Sequence, residues 1–130
     1  MTAPAVAGPP RLLLRLEGTA LLILATGAFS RMGLSWWLYA VLFFSPDLSF
    51  AGYLAGPKVG AVVYNAAHTL LGPAILLGIG LALNSPIFLG LAAIWAAHIG
   101  FDRMLGYGLK YATAFSDTHL GRIGRNRAGA

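Results

Sequence analysis

The sequence predicts an all-α integral membrane protein, a bundle of four membrane-spanning helices with both termini on the cytoplasmic side. Of its 130 residues, 58% are hydrophobic and only 10% are charged. Soluble domains carry about 25% charged residues, so this chain has too few of them to cover a soluble surface. The sequence contains four apolar stretches, which predict the four spans. Its basic residues fall mostly on one side of these spans, which predicts the orientation.

The predicted spans cover residues 12–29, 34–50, 59–83 and 86–106, approximately. Backbone groups inside hydrocarbon must find their hydrogen-bond partners within the protein, so each span is expected to be a helix. The polar–apolar alternation typical of membrane strands is absent from these stretches. Pro46 interrupts the second span, and we expect that helix to tilt or to end early.

These spans divide the chain into a flexible N-terminal arm over residues 1–11, a transmembrane domain over 12–111 and a cytoplasmic tail over 112–130. Positively charged residues are enriched on the cytoplasmic side of membrane proteins. Here only Arg31 falls on the other side. The remaining basic residues share the side of the termini: Arg11, Arg15, Lys58, Arg103, Lys110, Arg122, Arg125 and Arg127. The chain is therefore expected to be a multi-pass protein of the cell inner membrane.

Composition also restricts the partners and the chemistry. The net charge of +5 would suit nucleic acid in a soluble protein, but in so apolar a chain it indicates an anionic bilayer surface, and no nucleic acid is expected. The absence of cysteine excludes disulfides, thiolate metal sites and cysteine nucleophiles. Phosphate-binding loops, dinucleotide fingerprints and serine nucleophile motifs are missing as well. A homo-oligomer is compatible with the sequence.

Ionisable residues within the spans are the main functional candidates, because each costs about 2.5–3.5 kcal/mol to insert at the centre of a bilayer. They are Glu17, Asp47, His68, His98 and Asp102. The predicted topology places all of them in the cytoplasmic half of the bilayer or near its inner face. The pair His98 and Asp102 shares a helix face through its i, i+4 spacing, as does the pair Tyr64 and His68.

Three segments carry a resemblance to a known family. They read PDLSFAGYLAGPKVGAVVYNAAHT, AHIGFDRMLGYGLKY and FSDTHLG. In these segments the chain resembles a family of small bacterial integral membrane proteins, the domain of unknown function DUF4260, over about residues 12–123. The resemblance implies a four-helix membrane protein and supplies no activity. Its motif positions include Glu17, Asp47, Tyr64, Asn65, His68, His98, Asp102, Arg103, Lys110 and His119.

The leading functional hypothesis is a metal-dependent hydrolase that acts at the cytoplasmic side on a lipid or headgroup-level substrate. Carboxylate oxygens and imidazole nitrogens suit a divalent metal such as zinc. The predicted metal ligands are His68, His98, Asp102 and, if the tail folds back beneath the bundle, His119. Catalysis is assigned to Glu17 and Asp47, of which either is a further ligand or the general base. The predicted substrate-binding residues are Tyr64, Asn65, Arg103 and Lys110.

Two other hypotheses remain open at this point. In a small proton-coupled transporter or channel, Glu17, the two span histidines and Asp102 would relay protons. In a structural membrane subunit the same residues would only hold helices together, with a His–Asp contact worth about 0.6 kcal/mol on average. Clustering of the ionisable residues at one depth favours a one-sided site over a relay across the membrane.

Overall fold

A computed structural model describes residues 5–112 and 115–123; the first four residues of the predicted arm, and residues 113, 114 and 124–130 of the predicted tail, lie outside the described part. Helices account for most of the fold. Its elements are α1 (Gly8–Ser30), α2 (Trp36–Leu42), a 3₁₀ helix (Ser45–Ala55), α3 (Pro57–His68), α4 (Leu71–Leu83), α5 (Pro86–Met104), β1 (Asp117–Thr118) and β2 (Gly121–Arg122). The two short strands pair in antiparallel fashion.

In the part of the chain that the structure describes, four helical stretches are long and apolar enough to cross a membrane, which confirms the predicted all-α, four-span fold. They are α1, α2 with the 3₁₀ helix, α3 with α4, and α5. The architecture indicates a multi-pass membrane protein whose apolar surface contacts the bilayer. Its cytoplasmic orientation stays a prediction from the distribution of basic residues.

The second span changes helix type near its proline. The α-helix stops at Leu42, and Pro46 then lies in the first turn of the 3₁₀ helix. Proline has no backbone N–H and clashes with the carbonyl four residues earlier, so an α-helix does not continue through it. Because the 3₁₀ helix packs mainly on α3, Asp47 is brought against the end of that helix.

The third span is broken, although its apolar stretch predicts one continuous helix. Helix α3 ends at His68, Thr69 has an extended conformation, and α4 begins at Leu71. Pro73 explains the break, because its ring would clash with the carbonyl of Thr69 in a continuous helix. His68 is therefore the last residue of a helix rather than a residue in the middle of one.

Helix α5 is the centre of the bundle and packs against α1 and α4. Its contact with α1 is a backbone-to-backbone approach at Gly18 and Gly100, where an added Cβ on Gly100 would lie 2.7 Å from the Gly18 carbonyl oxygen. Such close crossings through small residues are typical of membrane helices. Phe29, Ala93 and Ile94 continue this contact as a buried cluster.

Chain segments near the two termini meet at one end of the bundle, here called the terminal end. Val6 donates a backbone hydrogen bond to the carbonyl of His119 (2.7 Å), and the Arg15 side chain donates to the carbonyl of Met104 (2.9 Å). The Arg11 side chain donates to the carbonyl of Leu120 in the same way. The segment after α5 is thus fixed across the terminal end, beside the ionisable residues of the spans.

Candidate metal centre

Four predicted site residues from three spans form one cluster. Asp47 comes from the 3₁₀ helix, His68 from the end of α3, and His98 and Asp102 from successive turns of α5. One potential ligand atom from each residue lies within 4.8 Å of all the others, so the group could hold a metal ion. Both histidine side chains are buried, with exposures of 4% and 0%, whereas Asp47 is 29% and Asp102 13% exposed.

The two histidine nitrogens lie at short and nearly uniform distances from each other and from one oxygen of each carboxylate. The Nε2 atoms of His68 and His98 are 3.2 Å apart. Oδ1 of Asp47 lies 3.1 Å from the first nitrogen and 3.2 Å from the second. Oδ2 of Asp102 lies 3.4 Å from both nitrogens. A tetrahedral zinc ion with bonds of about 2.0–2.1 Å separates its donors by about 3.3–3.4 Å, so the two nitrogens together with either carboxylate oxygen are spaced for such an ion.

The hydrogen bonds of His68 determine which of its nitrogens faces the cluster. Its Nδ1 lies 2.9 Å from the carbonyl oxygen of Tyr64. A carbonyl only accepts, so Nδ1 carries the proton, and in the neutral ring Nε2 presents a lone pair to the cluster. A backbone acceptor at the remote nitrogen is the usual way in which proteins orient a metal-binding histidine.

This tautomer leaves the Nε2 acceptor of His68 facing carboxylate acceptors. The lone pair of His68 points at two carboxylate oxygens and at the Nε2 atom of His98. Such a set is repulsive unless a proton or a cation lies among the atoms, and its low-dielectric surroundings strengthen the repulsion. Two carboxylates and two neutral imidazoles carry a charge of −2 together, which a divalent cation balances.

His98 occupies an apolar environment on its other side. Its ring lies edge-on to Phe43 and Phe44, with centroid distances of 5.5 and 6.0 Å. Its Nδ1 atom is buried and has no hydrogen-bond partner among the residues that the structure describes. The i, i+4 spacing on α5, rather than a second hydrogen bond, places its Nε2 atom beside Asp102.

Side chains of α5 also hold the end of α3 in place. The last carbonyls of a helix lack partners within that helix, and inside a membrane they must be satisfied by other groups. Trp95 donates to the carbonyl of Ala67 (2.6 Å), and Arg103 donates to that of His68 (3.4 Å). Arg103, predicted to bind substrate, thus contacts the backbone directly behind a cluster histidine.

Tyr64 and Asn65 lie one turn before His68 and have different contacts. The Tyr64 ring stacks on the His68 ring with a centroid distance of 3.7 Å, and its hydroxyl is 3.5 Å from Oδ2 of Asp102. The Asn65 amide donates to the carbonyl of Lys110 (2.7 Å) and accepts from its N–H (2.6 Å). Asn65 therefore connects α3 to the segment after α5.

A cavity of about 310 Å³ lies beside the cluster. Its wall contains both carboxylates of the cluster and one basic residue, in a mainly aromatic lining. The lining residues are Phe44, Asp47, Phe50, Tyr64, Phe101, Asp102, Leu105, Tyr107, Lys110, Phe115 and Ile123. Its volume is near the lower end of the range of about 300–1,000 Å³ found for ligand sites.

Of the predicted metal ligands and catalytic residues, two do not join the cluster. Glu17 lies on an exposed face of α1. His119 is half-buried in the segment after β1, where its Nδ1 atom accepts a hydrogen bond from the N–H of Leu109 (2.8 Å). Burial, together with the charge of Arg103, lowers the pKa of His119 and favours its neutral form. The tail therefore lies at the terminal end without bringing His119 to the other ligands.

Sequence reasoning missed the supporting role of Trp95 and the break after His68. A proline five residues after His68 was the available signal, since it stops an α-helix near that histidine. Trp95 gave no comparable signal, because a tryptophan near the middle of an apolar span is equally typical of ordinary packing.

Residues 11–123 match the family described as Domain of unknown function (DUF4260). The chain belongs to this family. No curated protein and no solved structure has significant similarity to it. The match covers every element described above except the first three residues of α1, and it includes all four cluster residues.

Proposed function

We propose that this DUF4260 chain is a metal-dependent hydrolase of the bacterial inner membrane, acting at the cytoplasmic side on a lipid or headgroup-level substrate. The observation that supports it most is the position of the two imidazole nitrogens, which lie 3.2 Å from each other and 3.1–3.4 Å from an oxygen of each carboxylate. Nitrogen and oxygen donors in this spacing suit zinc, which is the divalent ion that we propose for the site.

The cavity supports a catalytic site over a purely structural one. Structural zinc sites are closed by their protein ligands, whereas catalytic sites keep a position open to water or substrate. Here both carboxylates of the cluster line the cavity. We assign His68, His98 and Asp102 as the residues that hold the metal, because Asp102 is the more buried carboxylate and shares α5 with His98.

Asp47 is then the candidate general base. It is the more exposed carboxylate, and only its Oδ1 atom contacts the histidines. Bound zinc would lower the pKa of a water molecule to about 7. Asp47 would take the proton as the water oxygen bonds to the acyl carbon of an ester or amide, and would return it to the leaving oxygen or nitrogen as the acyl bond breaks.

Hydrolysis by zinc-loaded protein in nanodiscs tests this assignment, with bilayer lipids bearing ester or amide bonds as substrates and mass spectrometry of the products. Asp47→Asn should lower turnover about 10²- to 10⁴-fold, the usual contribution of a general base, when zinc is saturating. Asp117→Asn alters a carboxylate outside the cluster and is the matched control. Parent protein that cleaves none of these lipids, or an Asp47→Asn variant with full turnover, would contradict the proposal. Loss of turnover in Glu17→Gln instead would transfer the role of base to Glu17.

A further inference from the structure

Lys110 is a buried cation in the wall of the cavity. The residue is only 4% exposed. Its ammonium group donates to the carbonyl of Phe115 (2.7 Å) and lies over the rings of Phe115 and Tyr64, at 3.7 and 4.7 Å from their centroids. An ammonium has three N–H donors, and among the described residues the carbonyl of Phe115 is its one hydrogen-bond acceptor. Both rings line the cavity, so the charge is held at its surface.

The backbone of Lys110 is held in place by the helix that carries His68. The paired hydrogen bonds from Asn65 fix its N–H and its carbonyl. Lys110 also forms a β-bridge with Thr118. A long cationic side chain normally extends into water, and its burial costs free energy that a structural role at this position does not require.

The balance of charges around the cavity indicates the function of the Lys110 ammonium group. Among the described residues, the acidic and basic side chains that line the cavity are those of Asp47, Asp102 and Lys110. A divalent metal at the cluster neutralises the two carboxylates and leaves the ammonium without a counter-charge. Because an uncompensated charge in a low-dielectric site is costly, the metal-loaded cavity favours an anionic ligand.

The rim of the cavity indicates where such a ligand comes from. Phe44, Phe50, Tyr107 and Phe115 line it and are also exposed on the outside of the bundle, with exposures of 36–58%. In a membrane protein these rings contact lipid or the interface. The volume of about 310 Å³ admits a headgroup and its reacting bond but not the hydrocarbon chains of a lipid.

We propose that Lys110 is the substrate-recognition residue of this cavity, and that the substrate is an amphiphile with an anionic headgroup whose chains remain in the bilayer. The inference rests on the proposed function and specifies its substrate class. Arg103 is not assigned to this role, since its guanidinium contacts the carbonyl of His68 at the end of α3.

Native mass spectrometry of zinc-loaded protein tests the inference and counts zinc in the same spectra. Three probes separate the sources of the anion: an ether-linked alkylglycerol phosphate, its phosphocholine counterpart and soluble glycerol phosphate. The parent protein should bind the alkylglycerol phosphate about 10- to 100-fold more tightly than the phosphocholine lipid, as a hydrogen bond to a charged group provides. Lys110→Met should lose this preference and keep its zinc. Lys58→Met, which removes the same charge from an exposed position, should keep both.

Parent protein that binds both lipids equally would overturn the inference, whether or not the Lys110 variant folds. Equal affinity for glycerol phosphate and the alkylglycerol phosphate would overturn the amphiphile assignment and identify a soluble anion. An unchanged preference in Lys110→Met would remove Lys110 from recognition. If the parent protein binds no zinc and still prefers the anionic lipid, the result would refute the proposed function and support the role of Lys110.

Discussion

At His68, one backbone hydrogen bond determines which ring nitrogen is available to a ligand. The Tyr64 carbonyl takes the proton of Nδ1, so Nε2 faces Asp47, His98 and Asp102 as an acceptor. The i, i+4 spacing predicted that His98 and Asp102 share a face. It did not predict that Asp47 joins them, because that contact depends on how the second span bends and packs.

At Lys110, the pH dependence of stability tests whether the ammonium group is buried. Burial lowers its pKa from 10.5 to about 8, although the nearby carboxylates of Asp102 and Asp47 act in the opposite direction. The unfolded chain therefore binds more protons than the folded protein between about pH 8 and 10.5. Below about pH 8 the ammonium group is charged in the folded protein, so burying it lowers the free energy of unfolding by the full amount. This cost disappears as the pH rises and the amine loses its proton.

We expect the free energy of unfolding of the parent to rise relative to that of Lys110→Met as the pH increases from 8 to 10. Melting temperatures of both proteins in the same detergent, taken at intervals of pH, give this difference. Taking the difference removes the titration of groups that the two proteins share. A difference that is constant or falls over this range would show that the Lys110 ammonium is well solvated.

At the scale of elements, two prolines shape the site, and only one was interpreted correctly from the sequence. Pro46 was expected to end or tilt the second span, and the α-helix does stop before it. Pro73 lies in an otherwise uniform apolar stretch, which predicted one continuous helix. Whether a proline bends a membrane helix or breaks it depends on the groups that satisfy the freed carbonyls. Here these donors include Trp95 and Arg103, which are distant in sequence.

The crossing of α1 and α5 holds His98 and Asp102 in place. A substitution at Gly18 tests whether the two helices cross there. A Cβ at Gly18 would lie 2.7 Å from the backbone nitrogen of Met104 and 2.8 Å from the carbonyl oxygen of Gly100. Gly18→Ala should therefore force the helices apart and destabilise the protein by about 1–3 kcal/mol. Gly27→Ala is the control on the same helix, because its added Cβ would meet no described atom within 4 Å apart from its chain neighbours and the surrounding helix backbone.

The two alanine variants are compared by their melting temperatures in detergent. The Gly18 variant should melt well below the parent, and the Gly27 variant should melt close to it. Equal melting temperatures for all three proteins would mean that α1 and α5 do not cross at Gly18.

For the whole molecule, composition and the length of the apolar stretches were enough to predict the class of fold. A chain with 10% charged residues and four apolar stretches has few alternatives to a membrane bundle. The site was less predictable, because it depends on contacts between three spans. Depth along each helix suggested that the ionisable residues share one level, but it did not distinguish Asp47, inside the cluster, from Glu17, outside it.

The zinc content of the purified, untagged protein tests the central claim most directly. The parent, expressed with zinc and purified in detergent, should contain about one ion per chain, measured by plasma mass spectrometry. His68→Ala and His98→Ala should each lose most of it, because too few donors remain. His119→Ala should retain it, since His119 lies outside the cluster. A parent without metal, or a stoichiometric ion that survives in the His68→Ala/His98→Ala double variant, would contradict the account.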